Sequence, residues 1–87
     1  MAKRKRVVRL FFNTFYEDLA RRIEEELSRR YEGVKFTRSR VLPEFYYVEI
    51  SVSNSSDLER IRVEVEELVK KLGGDLVFGV KAYTVET

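Results

Sequence analysis

Eighty-seven residues, 44% hydrophobic and 37% charged, describe one folded domain (residues 1–87) with a single core rather than a disordered chain. The absence of cysteine and histidine excludes disulfides, thiolate or imidazole catalysis and zinc fingers. The net charge of +2 is unevenly spread: five of the 17 Lys/Arg fall in residues 1–9, where there is no acid, and all 15 Asp/Glu lie beyond.

The opening Met1-Ala2-Lys3-Arg4-Lys5-Arg6 is basic, and Arg9 interrupts the apolar run after it. That pattern argues against a signal peptide, so a cytosolic setting is the expectation. The basic tip keeps an edge soluble and suits contact with phosphates or an acidic surface. No apolar run approaches the ~20 residues needed to span a bilayer.

A first strand is predicted over about Lys5–Phe12. Val8, Leu10 and Phe12 share one face; Val7, Arg9 and Phe11 share the other. An unpartnered Arg9 cannot lie under a helix, so the Val8 set is the buried one. Thr14 and Glu17 have the spacing of a capping box, and Tyr16, Leu19, Ala20, Ile23, Leu27 and Tyr31 then form one apolar helical stripe. Gly33 is read as the left-handed cap that ends this helix.

Val34–Arg40 reads as a second strand, with Val34 and Phe36 inward. Arg38 and Arg40 share that parity, so they must lie beyond the helices or follow a bulge. Val41-Leu42-Pro43-Glu44 is a loose turn without Asn-Gly or Asp-Gly, and Pro43 stops the ladder. The third strand alternates strictly: Tyr46, Val48, Ile50 and Val52 point one way, Phe45, Tyr47, Glu49 and Ser51 the other. Ser56 and Glu59 suggest a second capping box, followed by the stripe Leu58, Ile61, Val65, Leu68 and Leu72 with Val69 on its flank. Gly73-Gly74 closes this helix. The last strand is predicted over Leu76–Val85, with Leu76, Phe78, Val80 and Ala82 inward and Val77, Gly79, Lys81, Tyr83 and Val85 outward.

The order β-α-β-β-α-β, with right-handed crossovers, interleaves into an antiparallel four-stranded sheet of order 4-1-3-2 with both helices on one face. This is the α+β, ferredoxin-like sandwich. The other face is left open. It carries the candidate binding residues Phe11, Phe45, Tyr47, Tyr83, Arg9 and Lys81, with Lys35 and Thr37 at its edge. Phe11 is expected beside Tyr47 and Arg9 opposite Glu49.

Leu10-Phe11-Phe12-Asn13-Thr14-Phe15 and Glu44-Phe45-Tyr46-Tyr47-Val48-Glu49-Ile50 resemble the first- and third-strand motifs of RNA-recognition motif domains. The resemblance implies base stacking on Phe11, Phe45 and Tyr47. Pro43, Glu44 and Tyr46 depart from the motif, and Glu49 sets a negative charge in mid-sheet. The paired capping signals, the glycines after both helices, the matched helix and strand lengths and the clean patterning also resemble de novo designed ferredoxin-like domains. The composition equally suits a hyperthermophile protein. Val63 and the Val41-Leu42-Pro43 turn are not idealised choices.

No catalytic, cofactor or metal residues are expected. Asn13-Thr14-Phe15-Tyr16 lacks the Gly and Arg of the phosphate-cradling loop in acylphosphatases. Asp57 and Asp75 have cap and turn positions, and the glutamates of both helices have salt-bridge spacing to Arg or Lys. The expected role is a non-enzymatic scaffold whose aromatic sheet face supports self-association as a homodimer or ligand binding. The alternative is a module for single-stranded nucleic acid.

Overall fold

The structure, a computed structural model, describes residues 5–87; most of the basic tip, Lys3-Arg4 included, lies outside the described residues. The elements run β1 (Arg6–Asn13), α1 (Glu17–Arg30), β2 (Val34–Arg38), β3 (Phe45–Ser51), α2 (Leu58–Gly73) and β4 (Phe78–Glu86), with 3₁₀ turns at Ser55–Asp57 and Gly74–Leu76. The strands form one antiparallel sheet ordered β2-β3-β1-β4, which is the predicted 4-1-3-2 counted from the other edge. The fold is α+β.

Strict alternation in β1 and β3 makes the core. Val8, Leu10, Phe12, Tyr46, Val48 and Ile50 join Ala20, Ile23 and Leu27 of α1 and Leu58, Ile61, Val65, Leu68 and Val69 of α2 in one buried cluster. Each fully buried aliphatic side chain contributes about 1.5–3 kcal/mol. The apolar stripes therefore hold the helices in place, and the caps are secondary.

Neither predicted capping box forms. Thr14 is buried, and its hydroxyl donates to the Leu76 carbonyl at 2.8 Å while accepting from the Tyr16 N–H at 3.2 Å. It ties the β1–α1 loop to the α2–β4 connection, and Glu17 and Asp18 supply the negative charge that favours the positive end of α1. Ahead of α2, whose cap residue Asp57 makes no side-chain cap bond, Asn54 instead caps the 3₁₀ turn: its side-chain oxygen accepts the Ser56 N–H at 3.1 Å. Gly33 has a positive φ but sits at the entrance to β2, where its carbonyl accepts the Ser51 N–H; α1 is closed by Tyr31, in extended conformation.

β2 ends at Arg38, two residues early. Arg38 keeps its inward parity by lying past the start of α1, where it pairs with Glu17 at 2.7 Å and donates to the Pro43 carbonyl at 2.9 Å. The loose turn is closed by Ser39, whose hydroxyl oxygen accepts the N–H groups of Val41 and Leu42.

The largest departure is in β4. Lys81 pairs with Phe11, but Phe78 pairs with Asn13, so Gly79 and Val80 both stand opposite Phe12. This is a bulge, and Gly79 supplies the positive φ of 61° that it needs. One extra residue reverses the facing of everything before it. Val77 therefore enters the core, and Phe78 and Leu76 are exposed, the reverse of strict alternation.

Candidate binding face

The uncovered side of the sheet brings all six candidate residues together. The β1–β3 register pairs Arg9 with Glu49, Phe11 with Tyr47 and Asn13 with Phe45. The β1–β4 register sets Tyr83 beside Arg9 and Lys81 beside Phe11. Phe11 is the hub of a ring cluster, with centroids 5.1 Å from Tyr47, 5.8 Å from Phe45 and 6.0 Å from Tyr83. The rings are tilted onto one another, so Phe11, Phe45 and Tyr47 are each half-buried without any helix above them, and Tyr83 is exposed.

Beside the rings lies a compact charge network. Glu49 is only 8% exposed; its carboxylate accepts from the Tyr47 hydroxyl at 2.8 Å and pairs with Lys5 at 3.3 Å. Arg9 Nε lies 3.8 Å from the same carboxylate, an ion-pair distance too long for a hydrogen bond. Donation from Tyr47 holds the Glu49 carboxyl below its ordinary value against the opposing effect of burial, and Lys5 and Arg9 add to the lowering. Burial, with donation to Glu49, pushes the Tyr47 hydroxyl up.

A carboxyl held low in the folded state stabilises the fold above its unfolded value near 4.5, and that contribution is lost as pH falls through the lower folded value. Thermal midpoints measured from pH 6 down to acid are expected to fall more steeply for the native chain than for Glu49→Gln below about pH 4.5. Parallel curves for the two proteins would show that the network adds no stability.

The mid-sheet negative charge is therefore covered by its partners. Lys5, Arg9, Lys35 and Lys81 share this face with Glu49, its one carboxylate among the described residues. Val77, predicted here, lies in the core; Phe78 takes a place at this side and packs on Phe15 at 5.5 Å. Lys5 and Phe78 escaped sequence reasoning. The signal for Phe78 was Gly79, an isolated glycine inside a strand pattern.

Elsewhere, a recess of about 620 Å³ between the helices is lined by Arg30, Tyr31, Arg60, Glu64 and Lys71. The Tyr31 hydroxyl donates to Glu64 at 3.0 Å, and burial with that bond pushes its pKa up to about 12. This bond links the helices and leaves Tyr31 a poor acid or nucleophile. Among the described residues, no group of acidic side chains is placed to hold a metal ion, and no helix is long and apolar enough to cross a membrane. No protein family, curated protein or solved structure matches the chain.

Proposed function

We propose that the chain is a non-enzymatic binding domain with the ferredoxin-like βαββαβ arrangement, and that its open sheet face holds a single strand of nucleic acid. The observation that carries this reading is one surface bearing both Phe11, Phe45, Tyr47 and Tyr83 as a ring cluster and four cations against one covered carboxylate. Rings beside cations suit a chain that offers flat bases and phosphates together. The positions of Phe11, Phe45 and Tyr47, which match the stacking residues of RNA-recognition motif domains, support the same reading. The regular helices and matched lengths support the likeness to designed domains, with the purpose carried by this surface.

The test is titration of a short labelled oligouridine, followed by anisotropy. Phe45→Ala and Tyr47→Ala are each expected to weaken binding by about 1–3 kcal/mol, roughly tenfold for each 1.4 kcal/mol, with folding intact. With three or four phosphates neutralised, log K is expected to fall against log salt with a slope of roughly −2 to −3. Absence of binding at low salt would remove the reading.

A second reading is a homodimer with sheet faces opposed, favoured by the exposure of Tyr83 and Phe78. The cations count against it. Two such faces would set eight cations against two carboxylates, and like-charge juxtaposition across an interface costs several kcal/mol. A face-to-face dimer therefore requires high salt and is dissolved by Phe11→Ser with Tyr47→Glu.

A further inference from the structure

Eight large hydrophobic side chains are exposed among the described residues, and six of them gather at one end of the sheet: Phe15, Tyr16, Val41, Leu42, Leu76 and Phe78. The topology brings them there. β1 and β2 end, and β3 and β4 begin, at the same edge of the fold, so the β1–α1, β2–β3 and α2–β4 connections are neighbours. Cross-links hold the three together. The Thr14 N–H donates to the Glu44 carbonyl at 2.9 Å, the Thr14 hydroxyl to the Leu76 carbonyl at 2.8 Å, and the Asn13 amide to the Phe78 carbonyl at 3.2 Å. The apolar end is thus a preorganised surface, and such surfaces lose little entropy on binding.

We infer that this end is an association surface for a second copy of the chain, packed end to end about a twofold axis. Area is the first argument. Phe15 is 73% and Val41 84% exposed, with the other four about half exposed. At ~150–200 Å² per large side chain, the six present on the order of 600 Å². That is the upper limit of the patches monomers carry, ~300–600 Å², and with its polar rim it approaches the ~800 Å² per partner of a stable interface.

The second argument is self-complementarity, which a twofold interface requires. The rim carries both signs, Arg40 with Glu44 and Asp75, so each copy offers a cation and acids to the other. Between the β1–α1 and β2–β3 loops lies a recess of about 250 Å³, where Phe15, Pro43 and Tyr46 stand beside the charged Glu17, Arg38 and Glu44. Leu42, next to Pro43 in the chain, is half-exposed, so each copy presents an apolar side chain and a partly charged hollow on the same loop.

The surface adjoins the strand-binding face at Phe78, which borders both, and the inference does not rest on that reading. Light scattering across a wide concentration range is expected to give twice the chain mass. Val41→Ser with Leu42→Ser is expected to return the single-chain mass and keep a cooperative melt, its midpoint lowered only by the concentration-dependent part that association adds to the native chain. Phe45→Ala with Tyr47→Ala is expected to leave the mass doubled, so loss of strand binding and loss of association read out independently. The chain has no cysteine, so Val41→Cys supplies a second measurement: mild oxidation links it into a covalent dimer, and Val63→Cys on the outer face of α2 stays single. A native chain that keeps the single-chain mass at every concentration, or binding of the native chain to phosphatidylcholine vesicles without self-association, would overturn the inference.

Discussion

Replacing Phe12 with alanine is expected to destabilise the domain by about 3–5 kcal/mol, measured as a lower urea midpoint at unchanged m-value. Phe12 is fully buried; its ring stacks on Tyr46 with centroids 5.2 Å apart and lies 6.0 Å from Phe36. It sits on β1, which is paired on both sides, so the backbone cannot close in on the space left behind. Cavity terms are largest where collapse is prevented. A domain of this class has about 5–15 kcal/mol in all, so the variant would be marginal. Phe11→Ala, one residue earlier, is the control. Its ring faces the open side and is half-exposed, so water fills the space that its loss leaves and the cavity cost is absent, and the destabilisation is expected to be clearly smaller than for Phe12. Equal losses for the two would mean that both faces of β1 are covered.

That contrast was legible before the fold was known, because β1 and β3 carry charges that set their facing. Arg9 and Glu49 cannot both lie under helices, and fixing them fixes Phe11, Phe12, Tyr46 and Tyr47. The register then paired Arg9 with Glu49 as expected. The helical stripes were legible for a similar reason: Ile23, Leu27, Ile61, Val65 and Leu68 recur at helical spacing among charged residues and are buried. The helix starts were misread because capping residues have alternatives. The Thr14 hydroxyl is claimed by the Leu76 carbonyl, 62 residues away. Local spacing cannot reveal such a competitor, since it exists only once the chain has folded.

The binding face was half legible. Its rings follow from alternation, whereas the covering of Glu49 depends on Lys5 and on the Tyr47 hydroxyl reaching along its own strand. The apolar end was not legible. Its six side chains come from three connections spread along the chain, and only the topology makes them neighbours. Periodicity puts Tyr16, Leu76 and Phe78 in buried positions only by being continued too far: into the α1 cap in the first case and through the bulge in the other two.

The bulge provides the most discriminating variant pair. Val77→Asp is expected to abolish cooperative unfolding at neutral pH, whereas Phe78→Asp is expected to leave the stability of the single chain, compared at low protein concentration, within about 1 kcal/mol. Val77 is 9% exposed and packs where Gly73 of α2 has no Cβ, whereas Phe78 is 48% exposed. An uncompensated carboxylate at the first site costs several kcal/mol, a large share of the whole stability. At the second site the carboxylate stays in water, and the loss is the ring contact with Phe15. An unbroken strand with strict alternation predicts the opposite ranking, so circular dichroism melts of the two proteins decide whether Gly79 shifts the register. Phe78→Asp carries a second readout. It places a charge on the apolar end of an otherwise intact fold, so the same protein is expected to keep its melting transition and lose its doubled mass.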